Sequence, residues 1–286
     1  MNQALTESNQ LVNQYKFNFL RVSGSTNGDG TPNFAAMDQA AAIYSKLGVP
    51  VQFEYPITDN QSVFTGSDLT KAESWYSQVA AHFKDNPYVW LATPNESGDG
   101  KSNTTQWLAQ TTGILGAIHE TGNENPVLVD DTNWSGAAIG GNPDSSSLIK
   151  YASQLFAADP NLVAAEHDYS ADPNHAASNL ADGISALKNA GYAPMIQEFG
   201  VFNTGNPRSD QPAVDAVLSQ ATMDQGVGYV GYIDTYGDSA QKETQDAGPG
   251  NKDALILPDG SLSAYGKQVV AQNQVVDSYL QSINGA

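Results

Sequence analysis

Two glutamates stand where apolar segments of this chain give out. Glu96 closes "YVWLATPNESG" (residues 88–98), and Glu198 lies in "PMIQEFG" (194–200). A carboxylate that ends a buried strand is partly desolvated, which raises its affinity for a proton and suits it to act as an acid near neutrality. Taken singly, each is equally at home as a helix N-terminal or loop carboxylate. Their company adds weight. In "AAEHDYS" strand alternation sets His167 and Tyr169 on one side and Glu166 and Asp168 on the other. "FNFLRV" supplies Arg21 to the set, and Asn95 directly precedes Glu96. Arg21 also reads as half of a structural ion pair, Asn95 as a turn former, and His167 with Tyr169 as a satisfied core pair.

These residues must be positioned by something regular. Short apolar runs recur at 17–22, 49–55, 88–93, 126–131, 162–169, 194–200 and 227–234, roughly one βαβ unit apart. Polar stretches of helical period separate them. Ala35, Ala36, Ala40, Ile43 and Leu47 keep to one helical stripe, and Gly48 stands where a helix stops. "AHFKDNP", "HETGNENP" and "LKNAGYAP" look like further helix ends. Continuous apolar strands alternating with helices imply an α/β protein with a parallel sheet buried on both faces.

A doubly wound sheet would place a glycine-rich turn after its first strand, but "SGSTNGDG" opens no helix with dinucleotide spacing. A (β/α)8 TIM barrel is favoured, because five strands end in polar, reactive residues, as when all loops converge on one face. Only seven strands are found where such a barrel has eight. "LTESNQLVNQY" reads as the helix that should follow a first strand, so that strand is expected to be lacking or replaced. No linker divides the chain, and residues 1–286 are read as a single catalytic barrel domain.

Composition narrows the partners. A net charge of −19 with only 12 Lys and Arg disfavours nucleic acid, anionic lipid and phosphorylated substrates, and leaves a neutral ligand. The absence of cysteine excludes disulfides and thiolate metal sites. His82, His119 and His175 show no metal-ligand spacing with acidic neighbours, so no metal is expected. Asp130 and Asp131 either touch a ligand or cap the next helix, with capping preferred. No G-x-S-x-G elbow supports a serine hydrolase. No run is apolar enough to span a bilayer, and the first residues do not form a leader.

The ordered set "FNFLRV", "TPNES", "HDY" and "IQEFG" resembles glycoside hydrolase family 5 and its clan of retaining barrels. There an Asn-Glu pair ends strand four and a second Glu ends strand seven. The resemblance runs from about residue 10 to the C-terminus. "LVDDTNWSG" is similar to the β-mannanase branch, and "LPDGSLSAYG" closes the likeness. It implies a secreted or periplasmic, monomeric endo-β-1,4-glycanase of mannanase or cellulase type, acting on neutral oligo- or polysaccharide with no cofactor.

The resemblance also implies roles. Glu96 is the general acid/base and Glu198 the nucleophile. Arg21 pairs with Glu198, Asn95 bonds the sugar 2-hydroxyl, His167 binds a sugar hydroxyl, and Tyr169 donates to Glu198. The chemistry needs two carboxyl groups in different protonation states at one pH, roughly 5 to 5.5 Å apart when configuration is retained. A pyranose packs its apolar face on an aromatic ring. Trp134 is the best such ring, while Trp75, Trp90 and Trp107 read as core. Two departures are visible: Tyr229, Tyr232 and Tyr236 stand near a usual tryptophan platform, and Tyr55 replaces a frequent histidine. An exo-acting β-glycosidase and a non-catalytic carbohydrate-binding barrel are the alternatives.

Overall fold

Each of the seven apolar runs forms a strand, and the strands pair in chain order with every pair parallel. The computed structural model describes residues 2–56, 61–170, 172–203, 206–209, 211–232, 255–257 and 260–284. The sheet consists of β1 (Leu20–Ser23), β2 (Val51–Glu54), β3 (Val89–Ala92), β4 (Val127–Asp130), β5 (Leu162–Asp168) and β6 (Ala193–Phe199). A small antiparallel hairpin, β7 (Phe202–Asn203) and β8 (Asn206–Ser209), precedes the last sheet strand β9 (Gly228–Tyr229). Sequential order without reversal has no switch point, which removes the doubly wound alternative.

The helices are α1 (Asn2–Asn9), α2 (Phe34–Lys46), α3 (Gly66–Phe83), α4 (Thr104–His119), the turn α5 (Thr132–Ser135), α6 (Ser147–Lys150) and α7 (Ala152–Ala158). They continue with α8 (Pro173–Asn189), α9 (Gln211–Val217), α10 (Gln220–Asp224) and α11 (Ala264–Asn284). Among the described residues no helix is long and apolar enough to cross a membrane. In α2 the buried positions are Met37 and Ala41, and the alanines at 35 and 36 face water. Alanine carries too little apolar surface to decide which side of a helix packs.

Period-two alternation sorts the strands into two layers. Val51, Phe53, Val89, Leu91, Val127, Val129 and Ala164 face outward and meet the helices in the main core, with Trp75 and Trp107 buried there as expected. Phe19, Ala92, Leu128 and Ala165 face inward, joined by Trp90, Val163, Met195 and Val230. The interior is therefore apolar at one end and turns polar toward the carboxyl ends, where Arg21, Glu54, Asp130 and His167 occupy inward positions. Tyr55 falls out of phase with them and packs edge-on to Trp75 and Phe64 in the outer layer. At that level Glu54 fills the interior.

Among the described residues no strand precedes β1. The chain enters through α1 and a π-helical turn at Gln10–Gln14, then runs directly into β1. Among the described residues, neither β1 nor β9 has a second partner strand. Between them lies a cavity of about 230 Å³ lined by Phe17, Phe19, Val227, Val230, Val276 and Leu280. Helix α11 straps this seam. Asn273 donates to the Tyr15 carbonyl at 3.0 Å and accepts from the Tyr229 hydroxyl at 2.9 Å, and Lys16 pairs with Asp277.

Candidate active site

The polar end of the barrel interior brings most of the predicted residues together. Arg21, projecting from β1, pairs with Glu54 on β2, with Nε and Nη2 at 3.0 and 2.9 Å from Oε2. Its Nη1 donates to Glu198 Oε1, and its Nη2 also reaches Asn95 Oδ1. Tyr169 donates to Glu198 Oε2 at 3.1 Å. Arg21, Glu198 and Tyr169 thus form the cluster expected of them, and Asn95 and Glu54 join it.

Glu96 hangs over the same space from the loop after β3. Its backbone is left-handed (φ 50°), an uncommon state for a residue with a side chain and one that recurs at functional sites. Asp130 holds that conformation from below by accepting from the Glu96 N–H at 3.0 Å and from Ser135 Oγ at 2.8 Å. His167 Nδ1 lies 2.9 Å from Glu96 Oε1 and 3.6 Å from Glu198 Oε2. One donor atom each from Glu96, His167 and Glu198 falls within 4.8 Å of the others.

Electrostatics separates the carboxyl groups. Burial alone would raise Glu198, but His167 and Arg21, with the Tyr169 hydrogen bond, bring it below its ordinary value. Burial pushes Glu54 up to about 7 in spite of Arg21. Burial also raises Asp130 against the pull of His167 and Arg21. For His167, burial opposes the charge, yet Glu198, Glu96 and Asp130 carry it up to about 9. A ring that keeps its proton offers no lone pair to a cation, and Glu198 already has a guanidinium, so this donor set does not fit a metal.

The expected contact of His167 with a sugar is not what the geometry offers. The ring is buried, with one nitrogen on Glu96 and the other facing Gln197 Oε1 at 3.2 Å. Its first duty is to the carboxyl group beside it. Trp134 stands on α5, where Asn133, Trp134 and Ser135 are all left-handed, and the Trp134 residue is 48% exposed. The Asp131 side chain fastens that turn by accepting from the N–H groups of Thr132, Ser147 and Leu148, as its capping role predicts. Gly98 joins it to the Glu96 loop: its carbonyl accepts from Asn133 N–H at 2.8 Å, and a Cβ there would fall 2.7 Å from Thr132.

Among the tyrosines after β6, Tyr229 is turned outward onto Phe199 and Asn273. Tyr232 shares the inward phase of Val230, half-buried, with its N–H on the Phe199 carbonyl. Tyr236 and the rest of the expected final strand beyond Tyr232 lie outside the described residues. Four interior residues were missed by sequence reasoning: Gln52, Glu54, Asp130 as a support for Glu96, and Gln197. The first two carried a signal, since polar residues two apart in the apolar "VPVQFEY" must share one face.

Known structures with this architecture are numerous. An endo-β-1,4-glucanase of Xanthomonas axonopodis pv. citri, solved as a triple mutant, superposes with a TM-score of 0.68 at 15% identity, over 94% of this chain and 90% of that one. The β-mannanase of Thermomonospora fusca gives 0.68 at 20% identity, over 94% and 85%. A β-mannanase from Streptomyces thermolilacinus, solved with mannohexaose, gives 0.68 at 19%, over 94% and 84%. No curated protein sequence matches the chain significantly. The family model described as cellulase, glycosyl hydrolase family 5, matches residues 1–237, and with that span covering most of its length the chain belongs to glycosyl hydrolase family 5.

Proposed function

We propose that this barrel is a retaining endo-β-1,4-glycanase acting on a neutral polysaccharide of the mannan or glucan class. The observation that carries the reading is the meeting of Glu96 and Glu198 across one cleft, with carboxyl oxygens within 4.8 Å. That spacing suits direct attack, for which roughly 5 to 5.5 Å between carboxyl groups is usual, and leaves too little room for the interposed water of an inverting enzyme.

Glu198, held ionised by Arg21, His167 and Tyr169, is the nucleophile. Glu96 gives its proton to the glycosidic oxygen as the C1–O bond breaks and Glu198 bonds to C1. The shortened chain then leaves as an alcohol. In the second step Glu96 takes a proton from water, whose oxygen joins C1 as the bond to Glu198 breaks. Asn95 accepts from Arg21 through Oδ1, which turns its NH2 group outward to donate to the sugar 2-hydroxyl. Trp134, on the loop tied to that of Glu96, provides a flat apolar surface for a pyranose ring, and the half-buried Tyr232 offers a second ring. The solved structures similar in fold act on, or are bound to, β-linked chains of these two classes, in keeping with the reading.

The test compares two substitutions on two substrates. Glu198→Gln should reduce release of reducing ends from polysaccharide and aryl glycoside alike to background. Glu96→Gln should lower polysaccharide turnover by about 10²- to 10⁴-fold, yet much less with an aryl leaving group that needs no proton. Binding of polysaccharide by the unaltered chain without any new reducing ends would make it a carbohydrate-binding barrel instead.

A further inference from the structure

Two glutamines lie deep in the barrel interior, Gln52 with none and Gln197 with 1% of its surface exposed. Gln197 sits at a bulge. β5 pairs Glu166 with Ile196 and then His167 with Glu198, so Gln197 is the extra residue. Alternation from the inward Met195 already turns Gln197 inward and would have sent Glu198 outward. The bulge lets Gln197 and Glu198 face inward together.

The two amides complete a chain of hydrogen bonds. Gln52 Nε2 donates to Glu54 Oε2 at 3.2 Å, Gln197 Nε2 donates to Gln52 Oε1 at 2.9 Å, and Gln197 Oε1 faces His167 Nε2 at 3.2 Å. Its polarity is set from one end. Two N–H groups of Arg21 already point at Glu54 Oε2, which makes that oxygen the acceptor, so Gln52 must turn its NH2 group that way. An amide has one donor end and one acceptor end, so each fixes the next. The last acceptor, Gln197 Oε1, demands a proton on His167 Nε2. Asp130 Oδ2, 3.9 Å from the same nitrogen, acts in the same sense.

We infer that Gln52 and Gln197 are positioning residues that lock His167 in its Nε2–H form and thereby keep the acid proton on the Glu96 side of the ring. With Nε2 committed, Nδ1 is the only ring position whose proton can come and go, and it faces Glu96 Oε1 at 2.9 Å. One proton sits between them. Losing it would leave the Nδ1 lone pair against the Glu96 carboxylate, and the escape, moving the remaining proton to Nδ1, would set the Nε2 lone pair against Gln197 Oε1. The glutamine chain thus penalises the unloaded state. The charged groups around His167 are Glu96 beyond β3, Asp130 on β4, Glu198 on β6 and Arg21 on β1. None of them alone dictates which ring nitrogen keeps the proton. The inference rests on Glu96 as general acid, and its test includes a measurement that does not.

That measurement is nitrogen NMR of protein labelled in its imidazole rings, with His167 assigned from a His167→Asn sample. The four histidines of the chain make the spectrum tractable. The unaltered protein should show His167 with Nε2 protonated throughout, and Gln197→Met and Gln52→Met should both move its nitrogen signals toward exchange between tautomers. A ring protonated on Nδ1 alone in the unaltered protein would overturn the inference, even for a chain with no measurable turnover.

The kinetic companion is the pH profile of kcat/KM on soluble polysaccharide. Removing an acceptor from a polarised donor should move the basic limb of Gln197→Met down by about one pH unit. Gln197→Glu, which adds negative charge behind the ring, should move it up. A folded Gln197→Met or Gln52→Met whose basic limb stays in place would overturn the inference, since a merely structural glutamine would lower stability and leave the limb alone.

Discussion

Glu198 and Glu166 lie on neighbouring strands, both largely withdrawn from water, yet the molecule treats them in opposite ways. Glu198 faces the interior, where Arg21, His167 and Tyr169 meet it, and its affinity for a proton falls. Glu166 faces outward from β5 into the layer between sheet and helices. Among the described residues neither of its oxygens has a donor at hydrogen-bond distance, the Ala138 amide helps only weakly, and Asp131 stands beside it. Burial first, and Asp131 second, raise it well above the ordinary carboxylate range. Depth alone does not decide whether a glutamate is ionised; the partners brought to it do.

The contrast breaks most readily at Arg21. Arg21→Met leaves Glu54 and Glu198 buried without their common cation, and loss of one partner from a buried pair costs about 3 to 5 kcal/mol. Denaturant unfolding should register this near neutrality, and a loss below about 1 kcal/mol would mean that the carboxylates find other compensation.

A smaller effect of unusual sign is expected at Glu166. In the unfolded chain it loses its proton at an ordinary carboxylate pKa, whereas the folded chain retains it. The folded state therefore binds more protons, and its stability is complete in acid and declines as the pH rises above that ordinary value. Glu54, raised to about 7, adds to the same decline, and His167 contributes a further loss as the pH rises from its ordinary value to about 9. Glu198 acts the other way and loses its contribution only in acid. The melting temperature should accordingly be higher at pH 5 than at pH 8. Glu166→Gln should raise the pH 8 value by a few degrees and flatten the slope, and thermal melts with an unchanged slope would show that Glu166 has a partner in solution.

The smallest expected change concerns Trp134, which the fold spends several hydrogen bonds to hold and then leaves exposed. Trp134→Ala should raise KM for polysaccharide roughly 3- to 10-fold while leaving kcat on a short aryl glycoside and the melting temperature nearly unaltered. A fall in melting temperature with unchanged KM would make the ring part of loop packing.

Much of this arrangement was legible in the sequence, and what was not has identifiable causes. Apolar runs with polar ends found the seven strands and put Glu96, Glu198 and Arg21 on one face. Alternation alone put His167 with Tyr169 and set Glu166 apart. The same rule fails between Gln197 and Glu198, because a bulge adds one residue and resets the phase, and nothing in "PMIQEFG" announces it. Gln52 and Glu54 were readable but were submerged in an apolar run. The partners of His167 were hidden for a different reason: a polar side chain at a strand end looks available to ligand until its neighbours are known. The left-handed turn that presents Trp134 is visible in hindsight only through Asn133, a residue that tolerates that conformation.

Asn273 gives the open seam a mechanical meaning. By gripping the Tyr15 carbonyl and the Tyr229 hydroxyl, one side chain of the last helix works as a clasp between the two ends of the strand array. Arg21 lies only six positions beyond Tyr15, on the segment that the clasp anchors. Loosening of the last helix is therefore expected to reach the segment that carries the guanidinium beside Glu198.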